Sequence, residues 1–315
     1  MASYGQSRFI AALMLAACLL STGFPDSAMA ESTIVVLGPQ TNSPYKSFVN
    51  GFKHYLDAQN GSPGFFDMNP DNNPEADSGL KIIVNQNDAA LILSLGPKAF
   101  RSVTQQQVDR PVIASLTSDR SELNKHDNAT GVILEHAIET QLRWIKHILP
   151  DVRTVGVLYN PAESGSRIAA AQKAARKLNL QLIAQEVNSP QELPVAMDSL
   201  FRRVDVLWGI ADSVVLSRQT AKAVLLTSFR NKVPFVAPSP AWVKAGALYS
   251  LGFDYEDLGE QSGEMALSVL KGKPVSSIPP QEPRKVHYTL NLRTAEHMRL
   301  KLSSSVVQGA AEVFE

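Results

Sequence analysis

TVGVLYNPAESGSRIAAAQKAARKLNLQLIAQEV, residues 154–187, decides the fold. Thr154–Tyr159 is a run of β-branched and aromatic residues, the composition of a strand, and it breaks at Asn160-Pro161. Ile168, Ala171, Ala175 and Leu178 then recur at helical spacing, and Leu180–Val187 reads as a second strand. The pattern continues downstream. Ser189-Pro190-Gln191-Glu192 has the form of a capping box with proline at the first helical position, and Leu193, Met197 and Leu200 share one face of the helix it opens. Val204–Ile210 is a third strand, a helix passes through Ala221, Val224, Leu225 and Phe229, and VPFVAP (233–238) is a fourth. Strands alternating with helices specify right-handed βαβ units on a parallel sheet. Such sheets bind ligands beyond the carboxyl ends of their strands. Those ends are Tyr159-Asn160, Gly209–Ser213 and Pro238-Ser239.

Upstream lies a second α/β pattern. Thr33–Leu37 is a strand ended by Gly38-Pro39, and a helix from about Pro44 to Ala58 carries Phe48, Phe52 and Tyr55 on one side. Residues 61–79, rich in Gly, Pro, Asn and Asp, read as a long loop, followed by LKIIVNQ (80–86) as a strand. Asp88–Gly96 and Pro111–Ser118 are further strands around a short helix, and Ala129–Ile133 reads as a segment crossing to the second domain. A helix then carries Ile138, Leu142, Ile145 and Leu149 and stops at Pro150. Beyond residue 240, Gly246–Gly252 is a short strand that crosses back. A helix spans Asp257–Leu270, Val286–Leu292 is a last strand, and a helix from Thr294 leads into a polar tail.

The 315 residues suffice for two domains, each with its own core. Lys plus Arg equals Asp plus Glu at 30 each, so net charge gives no support for nucleic acid or an anionic membrane as partner. Arg8 precedes the apolar run FIAALMLAACLL, and Ala28-Met29-Ala30 forms an A-x-A cleavage site, so residues 1–30 read as a secretory signal peptide. The competing reading is a lipobox at Leu15-Ala16-Ala17-Cys18, with the mature chain anchored through a lipid on Cys18. Cys18 is the sole cysteine, so the domains hold neither a disulfide nor a cysteine-bound metal.

The segments ATGVILEH, ILPDVRTVGVLYNP, ADSVVL, KAGALYSLGFDYEDLGEQSGEMALSVLKGKP and YTLNLRTAEHMRLKL resemble those of the tryptophan/tyrosine-type substrate-binding proteins of ABC transporters. The likeness is close over about residues 129–302 and looser over 33–118. It implies an α/β type I periplasmic-binding fold: two Rossmann-like lobes with parallel sheets, joined by three crossings and closing on a small ligand. The expected N-terminal lobe is 31–130 plus about 253–284, and the C-terminal lobe 131–252 plus about 285–315. Three departures fall on cleft-facing loops. A strand–helix unit usual in the first lobe is replaced by the Asp/Asn/Pro loop, a small-Thr run by Gly96-Pro97-Lys98, and an acidic residue by Ser239-Pro240.

Candidate ligand-binding residues follow from strand ends and from the resemblance. Asp212 ends an apolar strand and matches the family pattern; it suits a ligand ammonium, or else caps the helix that Ser213 helps to start. Ser94, Gly96, Ser115, Thr117 and Ser118 end first-lobe strands, where hydroxyls and amides suit a carboxylate. Tyr159, Asn160, Ser164 and Ser166 surround the turn after residue 158, with Tyr45 and Trp208 as further aromatic candidates. Asn160-Pro161 is also turn chemistry in its own right. No cofactor or metal is expected. The six histidines form no HExxH pair, and Asp67-x-Asn69-x-Asp71 has Asn72 where a calcium loop needs glycine and Ser78 where it needs glutamate.

The function these features imply is an exported, periplasmic, monomeric binding protein. It would capture a small polar ligand, with an amino acid the best guess, and present it to an inner-membrane ABC permease. The alternative partner is a membrane sensor. A hydrolase is a third reading, weakened because GEQSG (259–263) places serine one position late for a nucleophile elbow.

Overall fold

The computed structural model describes residues 32–39, 43–59, 63–69 and 74–315; the signal peptide and Cys18 lie outside them. The first part of the chain runs β1 (Thr33–Leu37), α1 (Ser43–Ala58), β2 (Gly64–Met68), α2 (Pro74–Gln86), β3 (Ala89–Leu95), α3 (Pro97–Gln105), β4 (Val112–Thr117), α4 (Arg120–Leu123) and β5 (Ala129–Ile133). Its strands form a parallel sheet in the order β2-β1-β3-β4-β5. Helices cover both faces, so β1 is apolar throughout: Ile34 and Val36 join the core around Phe48 and Phe52, while Val35 and Leu37 join that around Leu80, Val84 and Phe100.

The chain then builds α5 (Ile138–Ile148), β6 (Thr154–Tyr159), α6 (Pro161–Lys177), β7 (Gln181–Glu186), α7 (Leu193–Phe201), β8 (Val206–Trp208), α8 (Ala221–Asn231), β9 (Phe235–Ala237), α9 (Pro240–Lys244) and β10 (Tyr249–Gly252). It returns to the first lobe as α10 (Tyr255–Leu270), then completes the second with β11 (His287–Asn291), α11 (Leu292–His297), α12 (Ser304–Gln308) and β12 (Glu312–Phe314). The second sheet has the order β12-β11-β10-β9-β8-β6-β7. It is parallel except that β11 runs antiparallel to β10, its neighbour across the second and third crossings. The two-lobed α/β architecture with three crossings is therefore the one the resemblance implies.

Five local readings need correction. LKIIVNQ is the end of helix α2, and Gly64–Met68, inside the expected loop, is a strand paired with β1. The first lobe thus contains the strand–helix unit it was expected to lack. A short apolar run carries no decisive period, and Leu80 and Val84 reach the core four residues apart while Ile82 stays 60% exposed, as on a helix. Ala129–Ile133 is the last strand of the first sheet, because its backbone pairs with β4; the first crossing begins at Leu134. The C-terminal tail ends in an edge strand, β12, paired parallel to β11. At residues 189–192 the capping box itself does not form, because Glu192 bonds the amide one residue before the expected cap. Glu192 reaches back to the amide of Asn188 (3.0 Å) and accepts from the Ser189 hydroxyl (3.4 Å), whereas Ser189 caps no amide.

Helices α1 and α10 approach so closely that only glycine fits between them. A Cβ on Gly259 would lie 2.0 Å from the Phe48 carbonyl oxygen, and one on Gly51 2.0 Å from that of Glu256. The third crossing is tied to this helix pair. The Arg284 guanidinium bonds the buried carboxylate of Asp257 through Nε (2.9 Å) and pairs with Glu260 and Glu264, and Lys285 adds a second contact to Asp257 (2.9 Å). Gln281 lies beside β5, exchanging amide bonds of 2.9 Å with Gly131 and Ile133. Crossing and lobe are thereby fixed to each other.

Candidate ligand-binding cleft

A cleft of about 650 Å³ opens where the carboxyl ends of β4, β6, β8 and β9 face one another, within the usual range for a small-molecule site. The first lobe contributes Ser118 and Asp119. The first crossing contributes Leu134, Glu135 and His136, the end of β10 Leu251, and the second crossing Phe253. The second lobe supplies Gln141, Glu163, Arg167, Trp208–Ala211 and Val236–Pro238.

Polar groups are positioned by local structure. Asp119 caps α4, accepting from the Ser121 hydroxyl (2.7 Å) and the Glu122 amide (2.9 Å), and these bonds hold its carboxyl below the usual range. It is therefore ionised at neutral pH. Just before it, Leu116 adopts a left-handed backbone (φ 58°) at an irregularity in the β4–β5 register, which re-aims the chain after Ser115. Glu163 and Arg167 stand four residues apart on α6, hence on one helix face. Glu163 accepts from the Ser213 amide (3.0 Å) and hydroxyl (2.7 Å). Arg167 pairs with Glu135 across to the first crossing.

The apolar wall is aromatic in part. Phe253 stacks on His136 with ring centres 4.6 Å apart, and the Trp208 indole N–H donates to Gln141 Oε1 (3.0 Å). Burial holds His136 below its ordinary value of 6.5, against the opposing pull of the Gly252 carbonyl. The neutral ring donates from Nε2 to that carbonyl (2.8 Å), joining the first crossing to the second.

The expected site residues divide sharply. Ser118 lines the cleft, and Trp208 does so with its ring buried. Asp212 is 3% exposed and already accepts four hydrogen bonds: from the Asn160 amide (2.8 Å), the Ser164 hydroxyl (2.8 Å), and the amides of Val214 (3.1 Å) and Val215 (3.0 Å). That set makes it the knot joining β6 to the turn after β8; the helix expected to start at Ser213 does not form, since 213–215 are a turn and α8 begins at Ala221. Asn160 caps α6, and its side-chain amide holds the Val187 carbonyl (3.1 Å). Ser164 faces Asp212 rather than an incoming anion, and Ser213 serves Glu163. Tyr159 donates to Glu186 (3.1 Å) at the β6–β7 edge.

In the first lobe, Ser94 and Ser115 are buried within the sheet, and Ser115 shares a 2.8 Å hydroxyl bond with Ser262. Ser262, the serine of GEQSG, is thus packed against the sheet and bonded to no base. Gly96 has φ 90° and lets the Tyr45 hydroxyl approach to 3.2 Å of its missing Cβ; its amide donates to Ser115 (2.8 Å). Thr117 takes the Leu134 amide on its carbonyl (2.7 Å), where the first crossing starts.

Sequence reasoning overlooked Glu135, His136, Gln141, Glu163, Arg167 and Phe253. The Glu163–Arg167 spacing was a usable signal; residues on crossings carry none, because only the fold brings them to the cleft. Among the described residues no group of three or more metal-ligating side chains converges, and no helix is long and apolar enough to cross a membrane.

Comparison with known proteins agrees with this architecture. The family model described as ABC transporter substrate binding protein matches residues 47–314. A protein named tyrosine-binding protein, from Clostridioides difficile strain R20291, is 28% identical over 252 residues, covering 76% of this chain and 72% of its own. Among solved structures, a ligand-free, open substrate-binding protein with adhesive properties from Clostridium difficile superposes with a TM-score of 0.73 at 22% identity, covering 90% of this chain and 99% of that one. A Streptococcus pneumonia ABC domain in complex with L-Trp gives 0.56 at 23% identity, covering 90% and 100%.

Proposed function

We propose that this chain, which belongs to the ABC transporter substrate-binding protein family, captures an amino acid with a ring-bearing or apolar side chain between its lobes and hands it to an ABC permease. The observation that carries the reading is the composition of the cleft. Asp119 and Glu163 stand on opposite lobes, where an ammonium would be attracted to both. Leu134, Leu251, Phe253 and the edge of Trp208 supply an apolar wall beside them. The named tyrosine-binding relative and the L-Trp complex are in keeping with such a ligand. Binding without turnover is the work proposed, and hinge motion about the crossings is how the lobes would close. Reading residues 1–30 as an export signal is in keeping with work outside the cytoplasm.

A thermal-shift screen of residues 31–315 against the amino acids tests this. A ligand that binds only the folded state stabilises by about 2.7 kcal/mol at a hundredfold excess over its dissociation constant. L-Tyrosine or L-tryptophan is expected among the largest shifts. No shift with any amino acid at millimolar concentration refutes the reading.

A further inference from the structure

The cleft contains an arginine whose pairing is incomplete. Arg167 pairs with Glu135 through Nη1 alone, while its Nε–H is buried with no acceptor. A guanidinium presents its donors as a planar fork that suits both oxygens of one carboxylate. Here a single edge is engaged, and the side chain remains about one-quarter exposed toward the cleft it lines. Glu135 forms no other ion pair among the described residues, and it belongs to the first crossing, the segment that must adjust when the lobes move. Around Arg167 the cleft is acidic, with Asp119, Glu135 and Glu163 against one guanidinium and a neutral His136. Among the described residues lining the cleft, an anionic ligand group therefore has one cationic receiver, and that receiver is already held by an internal carboxylate.

Resting on the amino-acid reading above, we infer that Arg167 exchanges partners. It holds Glu135 when the cleft is empty and the ligand's α-carboxylate when it is filled. Glu135 is then an internal competitor that mimics the ligand carboxylate, and its release on binding couples capture to the hinge. The arrangement also sets specificity. An amine without a carboxylate satisfies the acidic wall but gives Arg167 no reason to leave Glu135.

Calorimetric titration of L-tryptophan and tryptamine, and of L-tyrosine and tyramine, into the wild-type chain, Arg167→Gln and Glu135→Gln tests the exchange. Arg167→Gln should weaken the amino acid by about tenfold to a hundredfold, the range of a charge-assisted hydrogen bond, and leave the matching amine unchanged or bound more tightly, since a positive charge is removed. Glu135→Gln should act in the opposite sense, tightening the amino acid several-fold while weakening the amine, because one competitor and one negative charge are removed together. Equal affinity of wild type and Arg167→Gln for the amino acid overturns the exchange and leaves the capture reading standing. Equal loss of amino acid and amine overturns it as well, since that is general damage to the cleft. If Arg167→Gln does not fold, Glu135→Gln decides alone: unchanged or weaker amino-acid binding is the contradicting result. A wild-type chain that binds neither amino acid ends both readings.

Discussion

Gly259→Val is expected to lower the melting temperature by about 5 °C, the equivalent of a loss of about 3 kcal/mol in a protein of this size. The cause is backbone contact. A Cβ at 259 would stand 2.0 Å from the Phe48 carbonyl oxygen and 2.7 Å from the Phe52 amide nitrogen, neither of which can rotate away as a side-chain tip can. To admit it, α10 must move off α1, opening the core in which Phe48, Phe52, Leu258 and Met265 are buried. The hydrogen bonds by which Asp257 and Gln261 of the same helix hold the third crossing would be strained together. Gly165→Ala is the matched control. It too lies within a helix, yet a Cβ there meets nothing within 4 Å, so alanine should stabilise by up to about 1 kcal/mol through helix propensity. Thermal unfolding followed by circular dichroism separates the two. Equal melting temperatures for Gly259→Val and wild type contradict the packing argument.

Asp212→Ala is expected to destabilise the second lobe by about 3–4 kcal/mol. Its removal leaves three buried or half-buried amides and one hydroxyl facing an empty site: Asn160, Val214 and Val215 lose the acceptor of their N–H groups, and Ser164 that of its O–H. Each donor stranded away from water costs about 1–3 kcal/mol, part of it recovered where water enters. Asp212→Asn should cost less, because its remaining oxygen still accepts from Val214 and Val215 while its NH₂ opposes the Asn160 amide. Any variant that stays folded should keep its amino-acid affinity within a few-fold, since the carboxylate serves the frame of the cleft. A stable Asp212→Ala chain that has lost binding would contradict this and restore the ammonium role expected from sequence.

These two residues also show what the sequence could and could not disclose. The strand–turn–helix rhythm of residues 154–240 is a local property, written in β-branched runs and 3.6-residue spacing, and it led directly to the second lobe and its carboxyl-end cleft. Residues 61–86 misled because a short run such as LKIIVNQ has no decisive period; only packing of Leu80 and Val84 against the first sheet selects the helix. Asp212, expected at a ligand ammonium, is in the structure already engaged by four protein donors. A carboxylate after a strand attracts ligand and backbone donors alike, and the choice depends on Asn160 and Ser164, about fifty residues away in the chain. The pairing of Arg167 with Glu135 was beyond reach for the same reason: thirty-two positions separate them, and no periodicity records that they meet.

Lobe closure on an amino acid is the central claim, and small-angle X-ray scattering of residues 31–315 tests it most directly, recorded without ligand and then saturated with the amino acid giving the largest thermal shift. The account predicts a smaller radius of gyration and a shorter maximum dimension in the saturated protein, reversed when the ligand is dialysed away. Scattering curves that coincide while calorimetry shows the ligand bound would contradict it.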